Sequence, residues 1–350
     1  MTKVYVGMSG GVDSSLTAAL LVEQGYDVTG VYMKNWTQDL PGMKCPWADD
    51  LADAKRVAVQ LGIDFKVFDF ENEYKQKVVD YMIDEYKLGR TPNPDIMCNQ
   101  EVKFKIFLET ALEDGADMIA TGHYARVRHE GSQGYLLQAV DTNKDQTYFL
   151  YRVTGEALAK TLFPLGEFTK PMVREMAKER GLFTASKKDS QGICFVGQIG
   201  IREFLSQYVE QKAGSIIDKQ TGKVLGQHDG AIFYTIGQRH GLDVGGGLPY
   251  YVVGKDMDKN EVYVTTNLND DALWRSGLNL VSAHWINEAP QPGTYQIRVR
   301  HRAVLISTEL TFGDDGAIIL QLDNAERAVA PGQSVVLYDG DNCIGGGIVA

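Results

Sequence analysis

The residues best suited to chemistry fall in three short clusters. The first, Ser9-Gly10-Gly11-Val12-Asp13-Ser14-Ser15, follows the apolar run Val4 to Met8 and opens a helical pattern through Leu16, Leu20 and Leu21 to Gly25. Two adjacent glycines let backbone N–H groups close on phosphate oxygens as a nest, and the following helix points the positive end of its dipole at the same anion. No Lys follows the glycines, so the loop is not the GxxxxGK[ST] kind that serves γ-phosphoryl transfer. That points to cleavage between the α and β phosphates of ATP, with AMP passing to a substrate oxygen. The alternative is a tight strand-to-helix turn that merely needs glycine.

The second cluster is Asn93-Pro94-Asp95-Ile96-Met97-Cys98-Asn99, where Pro92 and Pro94 stiffen a loop delivering a carboxylate and a thiol ahead of a helix starting near Asn99. A thiol at a helix N-terminus ionises more readily, and the thiolate is the nucleophile. The polar flanks suit an exposed Cys98 better than a buried one. The third cluster, Lys187-Lys188-Asp189-Ser190-Gln191-Gly192-Ile193-Cys194-Phe195, sets a thiol after a cationic loop, whose lysines favour the thiolate. Taken together, an AMP-forming loop and two thiols suggest ATP-activated sulfur transfer. A persulfide on one Cys attacks the adenylated carbon while the other attacks the S–S bond, leaving a disulfide. Cys45 and Cys343 have no comparable setting and read as structural.

These clusters need elements to hold them. Residues 3 to 122 alternate β-rich and helical runs, as in a parallel sheet covered on both faces. Val4 to Met8, Val28 to Met33, Phe65 to Phe70 and Met118 to Thr121 are the expected strands, with helices near 14–24, 48–61, 72–88 and 99–114. Ligands of such sheets sit at the strands' carboxyl ends, so the glycine loop, the loop after Met33 and Gly122-His123 should converge there. A hairpin is expected over Arg126 to Val140, and a capped helix over Thr169 to Gly181 with Pro171 in its first turn. Beyond residue 205 short β runs take over, at Ala231 to Ile236, Tyr250 to Val253 and Val262 to Thr265. From 280 come Thr294 to Arg300, Glu309 to Phe312, Ala317 to Leu322 and Ser334 to Tyr338, the texture of a small barrel or sandwich.

Composition narrows the classes. A chain of 350 residues, 44% hydrophobic, fills two or three domains. Four dispersed cysteines without a CxxC pair speak against a disulfide framework or a zinc knuckle, and no metal site is expected in the protein itself. A strand beginning at the third residue leaves no room for a leader, and no apolar run reaches the ~20 residues of a bilayer span. A cytoplasmic protein with no membrane partner is expected. The formal charge of -11 excludes a general nucleic-acid coat, so any RNA substrate would need local basic patches such as Arg298, Arg300 and Arg302.

The motifs together resemble the bacterial tRNA-specific 2-thiouridylases, the MnmA family. The likeness runs almost end to end, through Gly7 to Ser14, Asn93 to Cys98, Thr121-Gly122-His123-Tyr124, Lys144 to Leu150, Ser190 to Phe195, Tyr234 to Arg239, Pro331 to Ser334 and Gly345-Gly346-Gly347. It implies an α/β fold with a doubly wound parallel sheet of the PP-loop (adenine nucleotide alpha hydrolase-like) type at 1–204. A small β-rich central domain at 205–278 and a C-terminal β-barrel at 279–350 would follow. The implied activity is 2-thiolation of the wobble uridine in tRNAs of the Lys, Glu and Gln type.

By similarity, Gly7, Met8, Ser9, Gly10, Gly11, Val12, Asp13, Ser14, Met33 and Gly122 would bind ATP, with Mg²⁺ accompanying it. Asn93, Pro94 and Asp95 would hold the flipped base, Asp95 acting as acid or base. Cys98 would be the nucleophile and Cys194 the persulfide carrier, fed by a cysteine desulfurase or a sulfur-relay protein. His123, Lys144, Asp145, Gln146, Arg300, His301 and Gln333 would contact tRNA, and a monomer is expected. Arg300 and His301 depart from the arginine-plus-aromatic pair of the family. Two rival readings share the loop: an ATP-dependent amidotransferase or ligase, which has no need of paired thiols, and an RNA-binding protein with a vestigial ATP site.

Overall fold

The computed structural model describes residues 1–39, 45–188, 200–245, 247–313 and 316–350. Among these residues the strands form three sheets. The first contains β1 (Lys3–Gly7), β2 (Asp27–Lys34), β3 (Asp64–Asp69) and β4 (Met118–Ala120). A hairpin of β5 (Arg126–Glu130) and β6 (Gln133–Leu137) follows, before the short β7 (Thr161–Leu162) joins the first sheet beside β4. The order β3-β2-β1-β4-β7 is parallel throughout. The chain builds outward from β1 to β3 and then crosses back to β4. The strand order therefore reverses beside β1, and the crevice opens at the carboxyl ends of β1 and β4.

Alternation along β1 divides the core. Val4 and Val6 pack with Ala18, Leu21, Ala54 and Val57 of α1 (Val12–Glu23) and α2 (Trp47–Leu61). Tyr5 faces the other way, into the layer of Tyr74, Val78, Phe107 and Ala111. Successive strand side chains point to opposite faces, so a strand covered on both sides must be apolar at every position. The second layer comes from two helical runs, 71–87 and 94–113, each with a stretch of i→i+5 turns, Lys75–Asp80 and Cys98–Ile106.

The strands lie within a residue or two of their expected places, but the last of these helices starts five residues early. Asn93 Oδ1 accepts from the N–H groups of Asp95 and Ile96, and Pro94 fills the first turn, where a missing N–H costs nothing. The cap was visible in the sequence; Pro92 and Pro94 made it read as loop.

The second sheet runs β10-β11-β8-β9, from β8 (Gly214–Asp218), β9 (Val224–His228), β10 (Tyr251–Asp256) and β11 (Glu261–Thr265). Ala231 to Ile236, expected as a strand, instead begins with a single tight turn, Ala231–Phe233. Ala231 and Tyr234 are apolar because they plug that sheet's core, and the Ala231 N–H bonds the Asn260 side chain, so it joins no ladder.

The third sheet contains β12 (Trp274–Trp285), β13 (Gly293–Arg298), β14 (Ile306–Phe312), β15 (Ile318–Arg327), β16 (Ser334–Asp339) and β17 (Asn342–Val349). Pairing of β12 with β17 closes these six into a barrel around Leu280, Ile297, Leu310, Leu320, Val335 and Leu337. The start of β17 also pairs with β6, so the hairpin is continuous with the barrel sheet and not with the parallel one.

Candidate active site

β1 ends at Gly7 and α1 begins at Val12, with Gly11 as its N-cap. The glycines here do different work. Gly10 has φ +71, and a Cβ on it would stand 2.5 Å from the Asp50 carbonyl oxygen of α2, so the fold itself excludes a side chain. A Cβ on Gly122 would meet the Asp13 carbonyl carbon and the Ser14 nitrogen at 3.0 Å, because the loop after β4 lies against the start of α1. Gly11 has no such reason. Its φ is -94, and among the described residues a Cβ would find nothing nearer than Ser9 Oγ at 3.6 Å. The protein leaves that space open beside a helix N-terminus, which fits the phosphates of a nucleotide.

Hydroxyl groups fix the loop from within. Ser14 Oγ accepts from the Ser9 N–H at 3.2 Å and donates to the Gly11 carbonyl, while Ser15 Oγ donates to the same carbonyl at 2.7 Å. Met33, at the end of β2, brings its methyl to 2.9 Å of where a Gly7 Cβ would be. The loop, Met33 and Gly122 thus meet at one end of the sheet, as the strand order requires.

Asp13 is held by residues that the local sequence does not single out. Lys170, at the start of the helix Lys170–Glu179, reaches both Asp13 carboxylate oxygens at 2.7 and 2.8 Å. Tyr124 donates its hydroxyl to Asp13 at 2.8 Å, and Gln146 pins Tyr124 by bonding its backbone N–H and C=O. Across the loop, Lys187 bonds Asp50 and Asp53 of α2. Burial opposes its charge, but those two carboxylates outweigh it and raise its pKa. Lys187 is thus paired with α2, and the expectation that it tunes the thiol of Cys194 falls on a residue outside those described. Cys194, with Asp189 to Phe195, lies outside the described residues.

Cys98 departs from expectation. It sits one turn inside its helix and is only 3% exposed, within the main apolar core. The polar neighbours that suggested exposure have their own places. Asn93 caps the helix, Asn99 Nδ2 donates to the Phe149 carbonyl, and Asn99 Oδ1 is buried without a partner among the described residues. Burial raises the pKa of Asp95, with Lys103 opposing, a setting that favours proton transfer nearer neutrality. Cys45 and Cys343 are buried, and burial pushes both thiols up, the environment of unreactive cysteines.

Several residues expected on tRNA have partners within the protein. His123 is 8% exposed, its Nδ1 within 2.8 Å of Thr121 Oγ1 and its ring packed against Phe104 and Phe163. Burial holds its pKa well below the imidazole range, Lys103 adding to the effect, so it is a neutral ring of the core. Asp145 is 1% exposed and pairs with Arg298 of β13 while accepting from the Ala139 N–H and Thr147 Oγ1. This removes Arg298 from the proposed surface patch as well. Gln146 is committed to Tyr124, and Gln333 Oε1 accepts from the Ala330 N–H within its own turn. His301 packs on Phe149 with ring centroids 4.5 Å apart, its Nδ1 buried without a partner among the described residues. Lys144 is half-buried. Arg300 is exposed and donates to the Arg327 and Ala328 carbonyls.

Residues 2–198 match the family model described as tRNA methyl transferase HUP domain. Residues 202–266 match tRNA methyl transferase PRC-barrel domain, and 275–349 match Aminomethyltransferase beta-barrel domain. The tRNA-specific 2-thiouridylase MnmA of Bacillus subtilis (strain 168) is 47% identical over 354 residues, covering 99% of this chain and 95% of the relative. The protein of the same name from Listeria monocytogenes serotype 4a (strain HCC23) is 48% identical over 350 residues, with 99% and 94% covered. A solved 4-thiouridine synthetase–RNA complex with bound ATP aligns at a TM-score of 0.38 and 22% identity over 59% of this chain and 50% of its own, too distant to carry weight.

Proposed function

The chain belongs to the family of tRNA-specific 2-thiouridylases, enzymes of ATP-dependent tRNA thiolation, and from that premise we propose how its residues divide the work. The glycine loop, Gly7 to Ser14, with Met33 and Gly122, cradles ATP. The observation that carries this reading is Gly11, a helix N-cap at which no described residue stands closer to a Cβ than ordinary contact, so no described packing requires glycine there. Mg²⁺ would accompany the nucleotide and neutralise its phosphate charge; Asp13, the carboxylate of the loop, is engaged by Lys170 and Tyr124.

The wobble uridine of tRNAs for Lys, Glu and Gln, flipped from its stack, lies against Asn93, Pro94 and Asp95. Its 2-oxygen attacks the α-phosphorus, pyrophosphate leaves, and Asp95 manages the accompanying proton. Cys194, loaded as a persulfide by a desulfurase or relay protein, attacks C2 with its terminal sulfur. The Cys98 thiolate then attacks the inner sulfur, C2 keeps the terminal one, and AMP departs with the former carbonyl oxygen. The two thiols end as a disulfide, which a thiol reductant must reopen. Burial of Cys98 means that this step follows an opening of the core around the 94–113 helix.

Of the domain limits 1–204, 205–278 and 279–350, the first follows the change from helix to strand after Ile201–Leu205, whereas the second falls inside β12, which belongs to the barrel from Trp274 on; Lys144 and Arg300 are the tRNA contacts retained. The enzyme works in the cytoplasm as a monomer. Among the described residues no helix is long and apolar enough to cross a membrane. The deciding experiment combines the protein with ATP, Mg²⁺, a cysteine desulfurase with cysteine, and unmodified tRNA. The expected products are 2-thiouridine at the wobble position and one AMP per thiolation. AMP formation with an aminated product, or tRNA binding without AMP, would overturn it.

A further inference from the structure

We propose that Asn99 is a positioning residue for the proton step: its side-chain oxygen is the acceptor that aims the Asp95 carboxyl while Asp95 holds a proton. This rests on the assignment of Asp95 above. Asn99 is only 2% exposed, and its Nδ2 donates to the Phe149 carbonyl at 3.0 Å. A carbonyl can only accept, so the amide is fixed with Nδ2 toward Phe149 and Oδ1 away from it. Oδ1 is left buried, with no donor among the described residues. A buried acceptor without a donor is destabilising, so this one calls for a partner that the resting side chains do not supply.

Helix spacing points to that partner. Asp95 precedes Asn99 by four residues, which sets the two side chains on one face, whereas Cys98, the immediate neighbour, points elsewhere. An ionised carboxylate only accepts and leaves Oδ1 unpaired; a protonated one carries the missing donor. The reaction needs that form for part of each cycle. As the 2-oxygen of uracil bonds to the α-phosphorus, N3 gives its proton to Asp95 and pyrophosphate leaves with the electrons of the broken P–O bond. The proton returns to N3 as sulfur adds to C2. Between the two events Asp95 must keep a proton in a fixed direction, which a bond to Asn99 provides. Burial raises the Asp95 pKa, with Lys103 of the same helical run opposing, so the surroundings favour the protonated form. Of the other charged groups on the segments packed against 94–97, Lys75 pairs with Asp80 and Lys105 with Glu101, and Lys77 is exposed. The segment 147–150 brings only the Tyr148 hydroxyl, which bonds the Ser334 carbonyl.

The test is a carboxyl NMR titration of the whole chain labelled at Asp Cγ, with the Asp95 resonance assigned by its absence from Asp95→Asn. In Asn99→Leu, which keeps the volume and loses the acceptor, the Asp95 midpoint should fall below that of the wild type. In Asn99→Asp, where two carboxyls share a proton, it should rise, and this variant carries the measurement if Asn99→Leu fails to fold. Single-turnover 2-thiouridine formation should fall about tenfold in Asn99→Leu, the effect of one lost hydrogen bond. A purely structural Asn99 would cost activity or stability at every pH and leave the midpoint of Asn99→Leu unmoved; that result, or a raised midpoint, overturns the proposal. So does a midpoint that moves in Asn99→Asp alone when both variants fold, since it reports a nearby charge without the bond. Normal 2-thiouridine formation by Asp95→Asn would instead sink the assignment of Asp95 to the proton step.

Discussion

Single positions in the loop separate folding from binding. Gly122 is hemmed by backbone atoms at 3.0 Å, whereas a Cβ on Gly11 would meet among the described residues only Ser9 Oγ, at an ordinary contact distance of 3.6 Å. Gly122→Ala should therefore cost stability, ~1–3 kcal/mol by urea unfolding, through a clash that the backbone cannot relieve cheaply. Gly11→Val should leave the unfolding midpoint almost unchanged and abolish ATP binding; a variant that still bound ATP normally would remove Gly11 from the phosphate site. Burial makes a second statement about Cys98. At 3% exposure it is closed to a protein sulfur donor, so the donor should load Cys194 instead. In Cys98→Ser, mass spectrometry should find the extra sulfur on Cys194 with no thiouridine made. In Cys194→Ser it should find none at either position, and sulfur mapped to Cys98 would reverse the assigned roles.

Among the elements, the segment 145–151 ties the others together. Asp145 pairs with Arg298, and Tyr148 and Tyr151 bond Ser334 of the barrel. Gln146 holds Tyr124 beside the nucleotide loop, and the Phe149 carbonyl receives Asn99, next to Cys98. Phe149 also seats His301, whose pKa falls to about 4, chiefly through burial and then through Arg302. The folded value lies below the ordinary 6.5, so between those limits the unfolded chain binds more protons. His301 thus contributes stability that is complete above pH 6.5 and lost as pH falls toward about 4. Chemical unfolding across that range should show wild type losing more than His301→Phe, whose ring keeps the stack without titrating. Parallel pH profiles would remove His301 from the linkage.

At the scale of the molecule, the loop before Asn93, between two helices that cover the first sheet, is where they meet the barrel and the second sheet's domain. The Thr91 N–H donates to the Pro331 carbonyl of the barrel, and its hydroxyl lies 3.1 Å from that of Thr235 beside the second sheet. A Cβ on Gly332 would strike Arg90 and Thr91 at 2.7 Å, so barrel and loop have no slack between them. A tRNA held by the barrel, as proposed above, would thus be registered against the loop that leads to Asp95 and Cys98. With a net charge of -11 the enzyme must hold RNA through few cations. Arg300→Ala should weaken binding of all substrate tRNAs alike and reduce the salt slope by about one. A loss confined to one tRNA would mean that Arg300 reads bases.

What the sequence determined by itself was local. Apolar runs at β1 to β4, an amphipathic α2 and a glycine pair at the first strand-to-helix junction each follow from neighbours a few residues apart, and they were legible for that reason. The family motifs made the activity legible as well. Tertiary structure decided what depends on distant partners. No local pattern marks Lys170 as the companion of Asp13, Asp145 as the buried partner of Arg298, or His123 as a ring between Phe104 and Phe163. Cys98 looked exposed because its neighbours are polar, yet those neighbours cap and brace a helix whose inner face is core. A polar side chain satisfied by a partner far along the chain looks, in sequence, the same as one facing water. Only the packing that desolvates it tells them apart.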